Sequence, residues 1–158
     1  MGKLGCPWEK EDTDEENERR SWTEYYESVK LLPDDKLRWK FEIEWNRRHI
    51  GWVSSYRIDE NYEFIGEIKD GQTFYRAIGI DICEPYLWGK GIGTNTLRAF
   101  INYYFDRGIT ELYTQTWSGN TRMIHCAEKL GFVECNRNVG TREVDGQYDG
   151  LTFKLEKH

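Results

Sequence analysis

Residues 80–94, Ile80-Asp81-Ile82-Cys83-Glu84-Pro85-Tyr86-Leu87-Trp88-Gly89-Lys90-Gly91-Ile92-Gly93-Thr94, constrain the fold more than any other stretch of this chain. An apolar alternating run enters a turn with glycine at 89, 91 and 93. A run with Leu97, Ile101, Tyr104 and Phe105 at helical spacing follows at once. A strand passing straight through a glycine turn into a helix leaves N–H groups without intrahelical acceptors at the positive end of the helix dipole. Such a turn suits phosphate oxygens, because glycine keeps Cβ atoms out of their approach and Lys90 adds a point charge.

Three readings of the turn compete. The P-loop pattern does not fit, since Gly91 follows Lys90 and no glycine stands five residues before Gly89. The dinucleotide pattern fails as well, because Gly91-Ile92-Gly93 is followed three residues on by Thr96. A plain strand-to-helix turn with no ligand stands beside these. A second motif changes the balance: Asn120-Thr121-Arg122-Met123-Ile124-His125-Cys126-Ala127-Glu128-Lys129-Leu130-Gly131-Phe132 reads as a short helix with Asn120 as N-cap and Gly131 at C′.

The rest of the chain supplies a sheet. Residues 14–30 read as a helix, acidic first and basic last, closed by Leu32-Pro33. Residues 36–46 alternate Leu37, Trp39, Phe41, Ile43 and Trp45 against charge, and residues 50–58 form the hairpin partner across a turn at Arg47-Arg48. Residues 62–70 read as a strand or an irregular crossing. Strands follow at 74–83, 111–117, 133–143 and 148–156, the last two joined at Asp145-Gly146. The main helix is expected over 93–107.

At 158 residues the chain has room for one domain with a real core, and the net charge of −6 argues against a nucleic-acid partner. An acidic surface suits a cationic substrate, and serves plain solubility equally well. The start Met1-Gly2-Lys3-Leu4-Gly5-Cys6 has no apolar core, and no apolar run reaches membrane-spanning length. Cys6, Cys83, Cys126 and Cys135 lack C-x-x-C spacing and read as reduced thiols of a cytoplasmic protein. His49, His125 and His158 assemble no metal set, so no metal is expected.

The order strand, glycine turn, helix, strand, Asn-capped helix, Gly-Phe, strand resembles the GNAT N-acetyltransferase superfamily over residues 38–156. There a loop of type [QR]-x-x-G-x-[GA] binds the pyrophosphate of acetyl-coenzyme A, and an Asn-led helix ending in Gly-Phe forms the second wall. Gly79-Ile80-Asp81, the turn at 89–94 and Leu97-Arg98-Ala99-Phe100 look like the aminoglycoside 6′-N-acetyltransferases. Asp145-Gly146-Gln147-Tyr148 is shared with the ribosomal-protein N-terminal acetyltransferases.

The resemblance implies an α/β (α+β) fold: a mixed, largely antiparallel central sheet, splayed at the cofactor cleft and flanked by helices. It implies one domain over 1–158; the chain departs from the superfamily in starting at or inside the first helical region, so that either the first strand is absent or 1–13 is a short disordered remnant. The implied reaction moves an acetyl group from acetyl-coenzyme A to a primary amine, here an aminoglycoside or other small cationic amine, with antibiotic resistance as the setting. Acetylation of a protein N-terminus and a silent coenzyme A-binding domain are the alternatives. The partner is a small molecule rather than nucleic acid or membrane, and the protein a monomer or homodimer.

By the same resemblance, a backbone N–H at Ile82 or Cys83 would hold the acetyl carbonyl. Trp88, Gly89, Lys90, Gly91, Ile92, Gly93 and Thr94 would hold the pyrophosphate, and Asn120 would face the pantetheine arm or act as a plain N-cap. Asp81, a carboxylate in an apolar strand, is the leading general base or else a strand-end carboxylate paired with an arginine, with Glu84 and Glu67 in reserve and Glu84 also read as capping the turn before Pro85. Two departures stand out. Ala127 replaces the Tyr that protonates the leaving thiolate in many relatives, and Trp88 replaces the usual Gln or Arg. His125 is read as solvent- or sheet-facing, and Cys83 and Cys126 as packing residues.

Overall fold

The computed structural model describes residues 37–143 and 147–158. The helix expected over 14–30, the domain start at 1–13 and the Asp145-Gly146 turn lie outside the described residues. The strands are β1 (Lys40–Trp45), β2 (Arg48–Ile58), β3 (Phe64–Ile65), β4 (Tyr75–Ile82), β5 (Glu111–Trp117), β6 (Val133–Glu143) and β7 (Gln147–Glu156). The helices are α1 (Ile92–Phe105) and α2 (Thr121–Lys129), with a 3-10 turn at Pro85–Leu87.

The seven strands form one sheet in the order β1-β2-β4-β5-β7-β6, with β3 paired to β2. All pairings are antiparallel except β4 with β5. The result is the mixed, largely antiparallel sheet expected of the superfamily. The first hairpin turns one residue earlier than expected. Asn46 and Arg47 both take positive φ, 50° and 60°, as a two-residue turn matching the strand twist requires. The 62–70 segment resolves into the two-residue β3 followed by turns.

Residues of opposite parity face opposite ways along each strand, and this sets the two layers. Val53, Ile78 and Ile82 meet Leu97, Phe100, Ile101 and Tyr104 of α1 in the main core, each nearly or fully buried. Each such side chain contributes about 1.5–3 kcal/mol on burial. The opposite face carries a second cluster, Ile58, Ala77 and Tyr113, covered by Tyr56, Tyr62 and Tyr75. No helix among the described residues is long and apolar enough to cross a membrane.

The parallel pair β4–β5 positions the site. Its register holds at one place, Ala77 opposite Tyr113. Thr114 Oγ1 donates to the Ile78 carbonyl at 2.8 Å and closes the root of the junction. On the other face Tyr56 reaches over the small Ala77 to Gln115, 3.0 Å away. Beyond Ile78 no rung joins the two strands, and their C-terminal ends part.

Candidate functional site

The split between β4 and β5 opens where β4 leaves the sheet and enters the glycine turn. Cys83 N–H donates to the Ile50 carbonyl at 2.8 Å. In an antiparallel ladder such rungs alternate, so Asp81 and Cys83 turn their N–H groups toward β2. Ile80 and Ile82 turn theirs toward β5, past the last rung. Of the two candidates for a carbonyl-holding donor, Cys83 is therefore spent on the ladder, and the Ile82 N–H opens into the split.

The turn itself is bare of acceptors. From Gly89 to Thr94 no backbone N–H donates to any acceptor among the described residues; the first rung of α1 is Asn95 N–H to the Gly91 carbonyl, at 3.0 Å. Gly91 caps α1 in the left-handed region at φ 81°, with no side-chain cap and no acidic residue in the first turn. Among the described residues, a Cβ at Gly89 would meet nothing within 4 Å, and one at Gly91 only Asn95 Nδ2 at 3.9 Å. Unaccepted N–H groups and the positive helix end fit an anionic pyrophosphate. The exposed Lys90 adds its charge at the rim.

Trp88 is anchored at the entry to the turn. Its indole N–H donates to the Ile82 carbonyl at 3.1 Å and fastens the turn to the strand end. The wall opposite is α2. Asn120 caps it, accepting from Met123 N–H at 3.3 Å, and Thr94 Oγ1 lies 3.3 Å from Cys126 Sγ. Ala127 is fully buried in the main core and offers no proton to a leaving thiolate. His125 is exposed on α2. A separate hollow of about 420 Å³, lined by Ile124, Glu128, Phe132 and Phe153, lies on the flank of α2 away from Cys126 and is no part of the split.

Asp81 stands on the face opposite α1. Its cross-strand neighbour is Trp52, whose own neighbour on β1 is Glu42, so Glu42, Trp52 and Asp81 form one row. Beside this row β2 and β4 approach closely: a Cβ at Gly51 would run into the Asp81 backbone carbonyl. Lys40 Nζ sits 5.0 Å over the Trp52 ring and 3.3 Å from Glu42, which His49 also contacts. Glu84 occupies the N-cap of the 3-10 turn without capping it through its side chain, contrary to expectation. Its carboxylate pairs instead with Arg48 at 3.3 Å. Glu67 lies in the connector that ends at Tyr75, the end of β4 opposite Asp81, and the fold does not bring it to the split. Partial burial first, then the Asp81, Glu84 and Glu42 carboxylates, push the Cys83 thiol up from its ordinary pKa. A thiol so held is a poor covalent carrier at neutral pH.

Sequence reasoning missed Gly51, Trp52 and Arg122, the last of which lies across Trp88. Their roles depend on cross-strand register and helix docking, which leave no local pattern.

The sheet is thus open and parted at a parallel junction, with a glycine turn and a helix start at the gap. A family profile described as acetyltransferase (GNAT) domain matches residues 3–133, and the chain belongs to that family. The ribosomal-protein-alanine N-acetyltransferase of Brucella melitensis superposes with TM-score 0.68 at 19% identity, covering 98% of this chain and 85% of that one. yncA from Salmonella typhimurium, solved with its cofactor acetyl-CoA, gives 0.67 at 20% identity, covering 98% and 81%. The aminoglycoside acetyltransferase AAC(6')-Ib with coenzyme A gives 0.54 at 24%, covering 75% and 65%. In sequence, the kanamycin resistance protein of Rhizobium radiobacter is 36% identical over 58 residues, 36% of this chain and 54% of that protein. The uncharacterized protein MJ1062 of Methanocaldococcus jannaschii is 26% identical over 111 residues, 67% of this chain. The matches span 23% and 54% of those two relatives, respectively.

Proposed function

We propose that this chain transfers an acetyl group from acetyl-coenzyme A to the primary amine of a small cationic acceptor of the aminoglycoside kind. The observation that carries the reading is the β4–β5 split opening beside a turn whose N–H groups, from Gly89 to Thr94, have no acceptor among the described residues. Gly89, Lys90, Gly91, Ile92, Gly93 and Thr94 would hold the pyrophosphate, and Asn120 would border the pantetheine arm. The co-substrate supplies an activated thioester.

Asp81 takes the proton that a primary ammonium must lose before its nitrogen attacks the thioester carbonyl. The Ile82 N–H steadies the oxygen as charge develops on it. The new C–N bond forms as the C–S bond breaks. With Ala127 unable to donate, the thiolate takes the proton shed by the acylated nitrogen. Glu84, whose carboxylate pairs with Arg48, stands in reserve.

A cationic acceptor is supported by the net charge of −6, by the match to the kanamycin resistance protein, and by Trp52, whose ring already lies under a lysine ammonium. The test is acetyl transfer to aminoglycosides, polyamines and ribosomal-protein N-terminal peptides, beside calorimetry of coenzyme A. Transfer to peptides alone would replace this acceptor by the protein N-terminus. Binding without transfer to any of them would leave a silent coenzyme A-binding domain. Asp81→Asn should cut turnover by ~10²–10⁴-fold while coenzyme A affinity holds. Turnover within about threefold of the parent would move the base elsewhere.

A further inference from the structure

Arg122 sits in the first turn of α2, and its guanidinium carbon lies 3.5 Å from the centroid of the Trp88 ring. Trp88 is the residue immediately before Gly89, and its indole N–H is tied to the Ile82 carbonyl. Arg122 and Cys126 are four apart on α2 and share a flank. That flank faces the start of α1 through the contact of Cys126 with Thr94.

Stacking uses only the face of a guanidinium. The five N–H donors lie in its plane and stay available to a fork of oxygens. Arg122 makes no hydrogen bond or ion pair among the described residues, and it is exposed. A rigid ring thus holds a permanent cation beside a turn that already presents bare N–H groups.

We infer that Arg122 is a phosphate-binding residue of this chain, oriented by Trp88 and serving coenzyme A from the second helix across the glycine turn. The inference rests on the coenzyme A reading of that turn. It also gives Trp88 a purpose: the ring contributes no charge to the loop and instead fixes the position of a charge borne by α2. Two kinds of phosphate on the ligand share this chemistry, the diphosphate and the 3′-phosphate.

The test is calorimetry on the full chain with coenzyme A and with 3′-dephospho-coenzyme A, for the parent, Arg122→Ala, Arg122→Lys and Trp88→Phe. Arg122→Ala should weaken coenzyme A binding about tenfold or more, the worth of one charge-assisted hydrogen bond. It should also flatten the salt dependence of binding and leave the melting temperature in place. Arg122→Lys, which keeps charge but not the planar fork, should fall between. Trp88→Phe should lose part of the same affinity. Equal losses for both ligands assign Arg122 to the diphosphate; a loss confined to coenzyme A assigns it to the 3′-phosphate. Unchanged affinity for both ligands in Arg122→Ala overturns the inference. If Gly91→Glu abolishes binding in the same series, the turn assignment survives that result. A parent that binds neither ligand overturns both.

Discussion

The two described helices begin in opposite ways. α2 is finished by its own sequence, since Asn120 has its side-chain oxygen on Met123 N–H. α1 starts on Gly91 in a left-handed conformation, with no side-chain cap and no acid in its first turn. Orphan N–H groups at a helix start need a partner, and a cap supplies one from within. The bare start is held in place by other means. Trp88 pins the turn to Ile82, the ladder pins Cys83 to Ile50, and Gly51 lets β2 press against the Asp81 backbone. The contrast separates a helix start closed by its own side chain from one held in place with its N–H groups unaccepted among the described residues.

The sharpest way to break the comparison is a carboxylate at the open start. Gly91→Glu should reduce coenzyme A affinity by on the order of a hundredfold or more, through like-charge repulsion in the anion site. The stability cost should be only the ~1–2 kcal/mol of a side chain forced into left-handed backbone. Calorimetry and a thermal melt read the two effects apart, and unchanged affinity would make the turn a plain connector.

Gly51→Ala comes next. Its Cβ would collide with the Asp81 carbonyl, which is backbone and cannot swing aside. A loss of about 2 kcal/mol is expected in denaturant unfolding, of the size that overpacking costs. Turnover should suffer through the displaced Asp81. A neutral result would mean that β2 does not hold the strand leading into the turn.

The smallest effect belongs to the closed start. Asn120→Ala should remove about 1 kcal/mol of stability, the usual worth of an N-cap, and cost no more than about threefold in coenzyme A affinity through its place beside the pantetheine arm. A tenfold affinity loss instead would show that α2 also begins on the ligand, and the contrast would collapse.

Much of this protein was legible before its fold. The hairpin of β1 and β2, the strand–turn–helix unit and the Asn-capped α2 follow from local period, capping and turn residues, each acting within a few positions. β5 and α2 begin and end within a residue of where pattern places them. Helical spacing picks out Leu97, Ile101, Tyr104 and Phe105, and packing adds Phe100, which is buried with the α1 stripe.

What the sequence determined alone was the list of elements and the chemistry available at one turn: three glycines, a lysine and a carboxylate on the strand before them. Tertiary structure decided how these were used. It parted β4 from β5 after Ala77, took Cys83 N–H for the ladder and left that of Ile82. It gave Glu84 to Arg48, set Glu67 at the far end of β4, and laid Arg122 on Trp88. The reason is one of range: helical period and capping are written in neighbouring residues, whereas register and docking join residues tens of positions apart. Those partners exist only once the sheet has closed on itself.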